Sequence, residues 1–367
     1  MRTDQKHILI VSSEFPPQPG GIGNHAYNLA LSLSNEGYMV TVISDQRSKS
    51  GDQEKRFDQD LPFDVKRIKR YAFRPLMYLK RLVKTKQFIK RSSTVIATGK
   101  FSLWNVGFLS KFYKVRSLAI IHGTEVNFKS TPLRKSVELA LKRFDTIIAV
   151  SNYTNSLVKH LDLNVKVIPN GINSAEWNLV KATSKRIIGN PVVTTVGRVS
   201  IRKGQLNVIR HLPELSKLYP DVHYHCIGIP SLADEFLNEA KALAVDNLVT
   251  FHGSLTHEEL KHILMQTDVF LMLSSESNDG DIEGFGIAIL EANALGIPAI
   301  GSVNCGIEDA IKNDETGQLV RPDDVEGFIG AINNILEHKV EYSESARKWA
   351  QDHDWSEIIK SYLVFIE

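Results

Sequence analysis

Cysteine is scarce in this chain: Cys226 and Cys305 are the only two, far apart and without paired spacing. That excludes a disulfide framework and a zinc ribbon, and it fits a reducing compartment. Long apolar runs are also missing. No stretch approaches the roughly 20 residues that a membrane span needs. The N-terminal run HILIV stops at Ser12 and Ser13, as a buried strand does and a signal-peptide core does not. The expected location is therefore cytoplasmic. Acid is missing from one region. Residues 65–116 hold no Asp or Glu, but they hold Lys66, Arg67, Lys69, Arg70, Arg74, Lys80, Arg81, Lys84, Lys86, Lys90, Arg91, Lys100, Lys111, Lys114 and Arg116. The formal net charge of +2 thus hides a basic segment against a net acidic remainder.

What is present is ordinary globular material. The 367 residues exceed one usual domain and fit two. At 43% hydrophobic and 23% charged, the chain can bury two cores. Residues 8–12 read as a buried strand, followed by the loop EFPPQPGGIG at 14–23. Asn24 is placed to cap the next helix, in which Ala26, Leu29, Ala30 and Leu33 recur at helical spacing up to Gly37. Residues 39–44 read as the second strand, completing a βαβ unit.

Further strands are expected at 94–97, 117–121, 146–150 and 166–168, before the turn Asn170-Gly171. A second array begins with a strand at 192–196 that runs into Gly197-Arg198. It continues with strands at 223–227, 249–252, 269–273, 298–301 and 318–320, most of them separated by helical patterns. Two such arrays predict an α/β chain of two Rossmann-like, doubly wound domains facing across a cleft. The expected boundaries are 1–175 for the first domain, 176–190 for a linker, 191–342 for the second domain, and 343–367 for a helical tail. Trp349, Trp355, Ile358, Ile359, Tyr362, Leu363 and Phe365 make that tail apolar enough to need a docking surface.

The most informative run is EGFGIAILE at 283–291. Glycine at a helix start lets backbone amides and the positive dipole end approach an anion. Glu291 lies five residues past Gly286, about 7–8 Å along a helix. That suits a ribose when the helix start holds a phosphate, and Glu283 then falls where a donor sugar would lie. The bland alternative is two solvated glutamates, and the surrounding EGFGIAILEANALGIPAIG counts against it. Arg198 and Lys203, just after a strand, can clamp a diphosphate whose charge grows as it leaves. The bland alternative there is a solvated basic loop. Gly20-Gly21-Ile22-Gly23 is weak alone, and with Asp45 about 20 residues on it keeps a dinucleotide-binding reading open. His122-Gly-Thr-Glu125 follows a strand, where His122 could reach sugar or phosphate oxygens. Ser151-Asn152 and Asn170-Gly171 read as turn and cap chemistry.

Together, in this order, these pieces resemble glycosyltransferase family 4, the retaining GT-B-fold enzymes. The resemblance spans nearly the whole chain. It rests on the 16–23 loop, His122-Gly-Thr, Val150-Ser-Asn, Pro169-Asn-Gly171, Gly197-Arg198 with Lys203-Gly204, and Glu283 with Glu291. The inserted loop at 277–281 looks like the bacterial lipid-acceptor mannosyltransferase branch. The resemblance implies metal-independent transfer from a UDP- or GDP-sugar with retention at the anomeric carbon, and no cofactor. By position, His122, Arg198, Lys203 and Glu283 form the catalytic set. Arg198 and Lys203 would take the diphosphate, Glu283 the sugar hydroxyls, and Glu291 the ribose. The amides of Phe285, Gly286 and Ile287 would hold sugar and phosphate. Gly21 and Gly23 would let the first loop close over the β-phosphate, and the tail would cross back to the first domain. One departure is Cys305-Gly306, where the family often has Gly-Gly.

The acceptor is expected on the first domain, lipid-linked or saccharide, as in cell-envelope polysaccharide or glycolipid synthesis. Within the basic segment, Pro75 suits a helix start. Leu76, Leu79 and Val83 then form an apolar stripe among Lys80, Arg81, Lys84 and Lys86. A basic amphipathic helix of this kind lies in an anionic membrane interface. The expectation is a peripheral enzyme on the inner membrane face. No nucleic-acid module is recognisable, so nucleic acid is not an expected partner. Two alternatives remain: a UDP-sugar epimerase of the same fold, and a non-catalytic membrane-associated scaffold.

Overall fold

The computed structural model describes residues 6–70, 73–177, 186–277 and 280–366. The chain divides into two compact units, Met1–Gly171 with Trp355–Glu367, and Ile172–Asp354. In the first unit the strands are β1 (His7–Ser12), β2 (Met39–Gln46), β3 (Asp64–Lys69), β4 (Thr94–Thr98), β5 (Arg116–Ile121), β6 (Thr146–Ala149) and β7 (Val165–Val167). They form one sheet in the order β3-β2-β1-β4-β5-β6-β7, and all its pairs are parallel. Connecting helices are α1 (Gly21–Asn35), α2 (Asp52–Gln59), α3 (Arg74–Ile89), α4 (Lys100–Leu109), α5 (Thr131–Leu141) and α6 (Asn152–Ser156). Strands covered on both faces need apolar side chains at nearly every position. Ile8, Leu9, Ile10 and Val11 of β1 are fully buried accordingly.

The second unit repeats the plan. Its strands are β8 (Val192–Val196), β9 (His223–Ile227), β10 (Val249–Gly253), β11 (Val269–Met272), β12 (Ala299–Ser302) and β13 (Gly317–Val320). Their order is β10-β9-β8-β11-β12-β13, again parallel. Helices α7 (Gln205–Leu218), α8 (Ala233–Ala242), α9 (His257–Leu264), α10 (Ile287–Ala294), α11 (Val325–Glu337) and α12 (Lys339–Asp352) pack around it. In each unit the order reverses beside the first strand, between β1 and β4 and between β8 and β11. Ligands of doubly wound sheets bind at the carboxyl ends of strands at that point.

The structure departs from the sequence expectations in several places. Asn24 is not a cap. The helix begins at Gly21, and the Asn24 amide bonds to Gly20 O at 2.9 Å inside the first turn. Gly23 lets the 14–15 backbone pack against this first turn, since a Cβ there would lie 3.1 Å from Phe15 N. Strand β3 carries no apolar run because it is a sheet edge and only Ile68 is buried. The tail is two helices, because α12 stops at Asp352 and α13 (Trp355–Leu363) starts afresh. Between them Asp354 accepts from Ser174 N at 3.0 Å and Ser174 Oγ at 2.6 Å. Helix α12 packs on α10 in the second unit, whereas α13 packs on α1 in the first. Of the expected linker, residues 178–185 lie outside the described residues, as do Asn278 and Asp279 of the expected insertion.

Candidate active site

The second unit gathers its charged residues at the strand ends around the β8–β11 switch. Beyond β8 the chain turns through Gly197 and a short 3-10 turn, Ile201–Lys203. Gly204 then lies against the end of β11 with φ of 79°, and a Cβ there would sit 2.0 Å from Leu273 O. Gln205, fully buried, staples this loop. Its Nε2 donates to Arg198 O at 3.2 Å, and its Oε1 accepts from Ser200 N at 3.2 Å.

The loop delivers Arg202 and Lys203 to one carboxylate. Arg202 Nη1 lies 2.5 Å and Lys203 Nζ 2.8 Å from Glu283 Oε2. Arg202 Nε also reaches Asp281 Oδ2 at 3.2 Å. Burial alone would raise the Glu283 pKa, but Lys203 and Arg202 outweigh it and hold the carboxyl at about 2. Glu283 is therefore ionised and pinned, an acceptor and not a base. The same contact with Glu283 raises the guanidinium of Arg202. Arg198 does not join this cluster. It is exposed, and its side chain has no hydrogen bond or ion pair among the described residues.

After Glu283 the backbone turns into α10. Gly286, at φ of 93°, is the N-cap. Gly306 closes over this turn: its amide donates to Glu283 O at 2.9 Å, and a Cβ there would lie 1.9 Å from Gly284 O. Gly306 thus carries the close approach, while Cys305 is buried with Sγ 3.4 Å from Ser302 O. The Phe285 side chain belongs to the core at 2% exposure, so only its amide is on offer. The amides of Ile287 and Ala288 have no acceptor among the described residues. Further along α10, Glu291 is half-buried and has no hydrogen bond or ion pair among the described residues. Burial pushes its carboxyl up to about 7, against the pull of Lys203.

In the first unit a second group stands at the ends of β1, β4 and β5. His122 Nε2 lies 2.8 Å from Thr98 Oγ1, and the His122 amide donates to Glu125 Oε1 at 2.6 Å. The His122 ring meets His25 edge-on at 5.1 Å, and His25 Nε2 lies 3.0 Å from Tyr362 Oη of α13. Burial lowers His122 to about 3 and raises Glu125 to about 7. At neutral pH His122 is a neutral ring. Gly23 is packed under the 14–15 backbone, whereas a Cβ on Gly21 would meet nothing within 4 Å.

Sequence reasoning missed Arg202, Asp281, Gln205, Thr98 and His25 as site residues. Only Arg202 had a signal, its place beside Lys203. The dinucleotide reading of Asp45 fails: Asp45 is a buried partner of Arg81, with Oδ1 3.0 Å from Arg81 Nε. Arg81 in turn stacks 3.8 Å over Phe101, so it is not part of an outer basic face. Ser151 does cap α6, accepting from Thr154 N at 3.0 Å.

Residues 19–176 match the family described as Glycosyltransferase Family 4, and residues 181–353 match Glycosyl transferases group 1. The chain belongs to glycosyltransferase family 4. This family 4 glycosyltransferase is 27% identical over 392 residues to the glycogen synthase of Mycobacterium tuberculosis, across 96% of this chain and 92% of that protein. It is 26% identical over 371 residues to a GDP-mannose-dependent alpha-(1-6)-phosphatidylinositol monomannoside mannosyltransferase of Mycolicibacterium smegmatis, across 94% of each. Among solved structures, sucrose-phosphate synthase from Thermosynechococcus elongatus superposes with a TM-score of 0.78 at 18% identity, covering 98% of each chain. The fold is the two-domain GT-B pattern. The enzyme is a transferase that uses a nucleotide-sugar, and the likenesses do not favour the epimerase alternative.

Proposed function

We propose that this glycosyltransferase moves a sugar from a UDP- or GDP-sugar to a lipid-linked or saccharide hydroxyl, with retention and without a metal. The observation that carries this reading is the contrast on one turn-helix segment. Glu283 is pinned by Lys203 and Arg202, and Glu291 stands without a partner among the described residues. A pinned carboxylate suits sugar hydroxyls, and an unpartnered one suits the two hydroxyls of a ribose. Arg198 and Lys203 supply counter-charge for the leaving diphosphate, joined by the amides of Phe285 and Ile287, while the expected Gly286 amide is already turned to the Glu283 carboxylate. In the first unit, Gly21 and Gly23 offer close backbone approach to a phosphate, and His122 offers a ring nitrogen to the donor. A neutral His122 and an ionised, paired Glu283 fit a front-face path in which the leaving phosphate takes the acceptor proton.

The test is slow donor hydrolysis without acceptor. UDP- and GDP-sugars should release free diphosphate, and Lys203→Ala should lower the rate by about 100-fold or more. Chelator should leave the rate unchanged, and NMR of the released sugar or product should show the donor's anomeric configuration. No release from any donor would count against the reading.

For the acceptor side, we infer docking on the anionic inner face of the membrane. The Mycolicibacterium relative is named for a phosphatidylinositol monomannoside acceptor. On α3, Leu76, Leu79 and Val83 are 37%, 57% and 59% exposed, with Lys80 and Lys86 exposed beside them. Lys and Arg near such a leaflet contribute about 1 kcal/mol each. No helix among the described residues is long and apolar enough to cross a membrane. The full chain should float with anionic vesicles and not with neutral ones, and Leu79→Glu with Val83→Glu should abolish flotation. Equal absence from both vesicle types would sink the docking.

A further inference from the structure

The His122 ring has two nitrogens, and among the described residues the protein engages one. Nε2 lies 2.8 Å from the hydroxyl of Thr98, the last residue of β4, which is fully buried. That contact is the one hydrogen bond of the Thr98 hydroxyl among the described residues. If Nε2–H donated to Thr98, the threonine's own proton would be buried without an acceptor, at the full desolvation cost of that group. Donation from Thr98 to Nε2 removes the conflict. An unprotonated Nε2 places the proton of the uncharged ring on Nδ1. Nδ1 of His122 has no protein partner among the described residues. Unlike Nδ1 of His25, it does not belong to the sealed, unpartnered atoms. The ring is held in place by Glu125 on its backbone amide and by the edge-on contact with His25.

We propose that Thr98 is a positioning residue: by donating to Nε2 it sets His122 as the Nδ1–H tautomer, aimed as a hydrogen-bond donor at a sugar or phosphate oxygen of the nucleotide-sugar. This rests on the reading of His122 as a donor-substrate contact. It separates the jobs of two residues at adjacent strand ends. His122 touches the substrate, and Thr98 decides which of its nitrogens carries the proton.

The full chain labelled with 15N-histidine tests this without substrate. Two-bond proton–nitrogen correlations identify the protonated nitrogen, and loss of the signal in His122→Gln assigns it. Wild type and Thr98→Ser should both show Nδ1–H, and Thr98→Val should move the proton wholly or partly to Nε2. In transfer assays Thr98→Val should lower kcat/KM by about 10- to 100-fold, with Thr98→Ser close to wild type. Nε2–H in the wild type overturns the proposal. So does a Thr98→Val protein whose tautomer has moved while transfer is unchanged. If His122→Gln also transfers at the wild-type rate, the failure is that of His122 as a substrate contact, and the spectrum alone judges the tautomer. Should Thr98→Val not fold, the wild-type spectrum decides.

Discussion

Glu283 and Glu291 belong to one turn-helix segment yet are held at about 2 and about 7. Ribose hydroxyls donate, and an ionised carboxylate accepts from both. Affinity for a nucleoside diphosphate should therefore rise as pH climbs through the Glu291 pKa. Calorimetry between about pH 6 and 8 should show that rise, and Glu291→Gln should flatten it. Glu125 makes a separate prediction about stability. Its folded pKa of about 7 exceeds the usual 4.5, so in that window the folded state binds more protons than the unfolded state. Its contribution to stability therefore falls as pH rises from 4.5 to about 7. His25 and His122 are both lowered and act in the opposite sense on the acid side, so a variant isolates the effect. Glu125→Gln should gain stability over wild type steadily across that window, read as denaturation midpoints at each pH. Glu283 and Glu291 were legible because glycine spacing marks a turn and helix start. Arg202 was not, because neighbours in sequence point to different places, and the fold of the loop, held by Gln205, Gly204 and Ser274, sets which cations face Glu283.

The glycines at the element ends carry unequal loads. A Cβ on Gly306 would meet Gly284 O at 1.9 Å, and backbone cannot give way as a flexible side chain does. Gly306→Ala should displace the 283–286 turn, destabilise by about 1–3 kcal/mol and weaken nucleotide binding. Gly21 has open space around its missing Cβ. Gly21→Ala should change stability by no more than about 0.5 kcal/mol, so any loss of transfer reports on ligand approach. Urea titration of both variants, with nucleotide binding alongside, checks the contrast. Most strands were readable because a parallel sheet covered on both faces demands continuous apolar runs. Strand β3 was not, because an edge strand pairs on one side and can be Lys- and Arg-rich. The stripe on α3 was readable by periodicity, but the pattern could not show that Arg81 turns inward to Asp45. That takes the buried pair itself.

For the whole molecule, the C-terminal segment is the main organising fact. Helix α12 joins the second unit, and α13 returns to the first, where Tyr362 bonds His25 and Trp355 meets the same ring edge-on. Tyr362→Phe would leave both nitrogens of a buried His25 unpartnered, since Nδ1 already lacks a partner. The expected cost is about 1–2 kcal/mol, seen as a lower urea midpoint, and removal of 355–367 should unfold the first unit. The tail's apolar residues announced that it must dock, but periodicity carries no address. The amino-acid sequence by itself determined the two βα arrays, the glycine turn that opens α10, the two glutamates that flank it and the basic segment. Each of these is a local pattern imposed by burial, backbone freedom or charge. Only the tertiary structure decided that Lys203 and Arg202 share Glu283, that Thr98 and His25 flank His122, and that the chain divides after Asp354. Those are meetings of residues distant in sequence, set by strand order and close packing, and no local pattern encodes them.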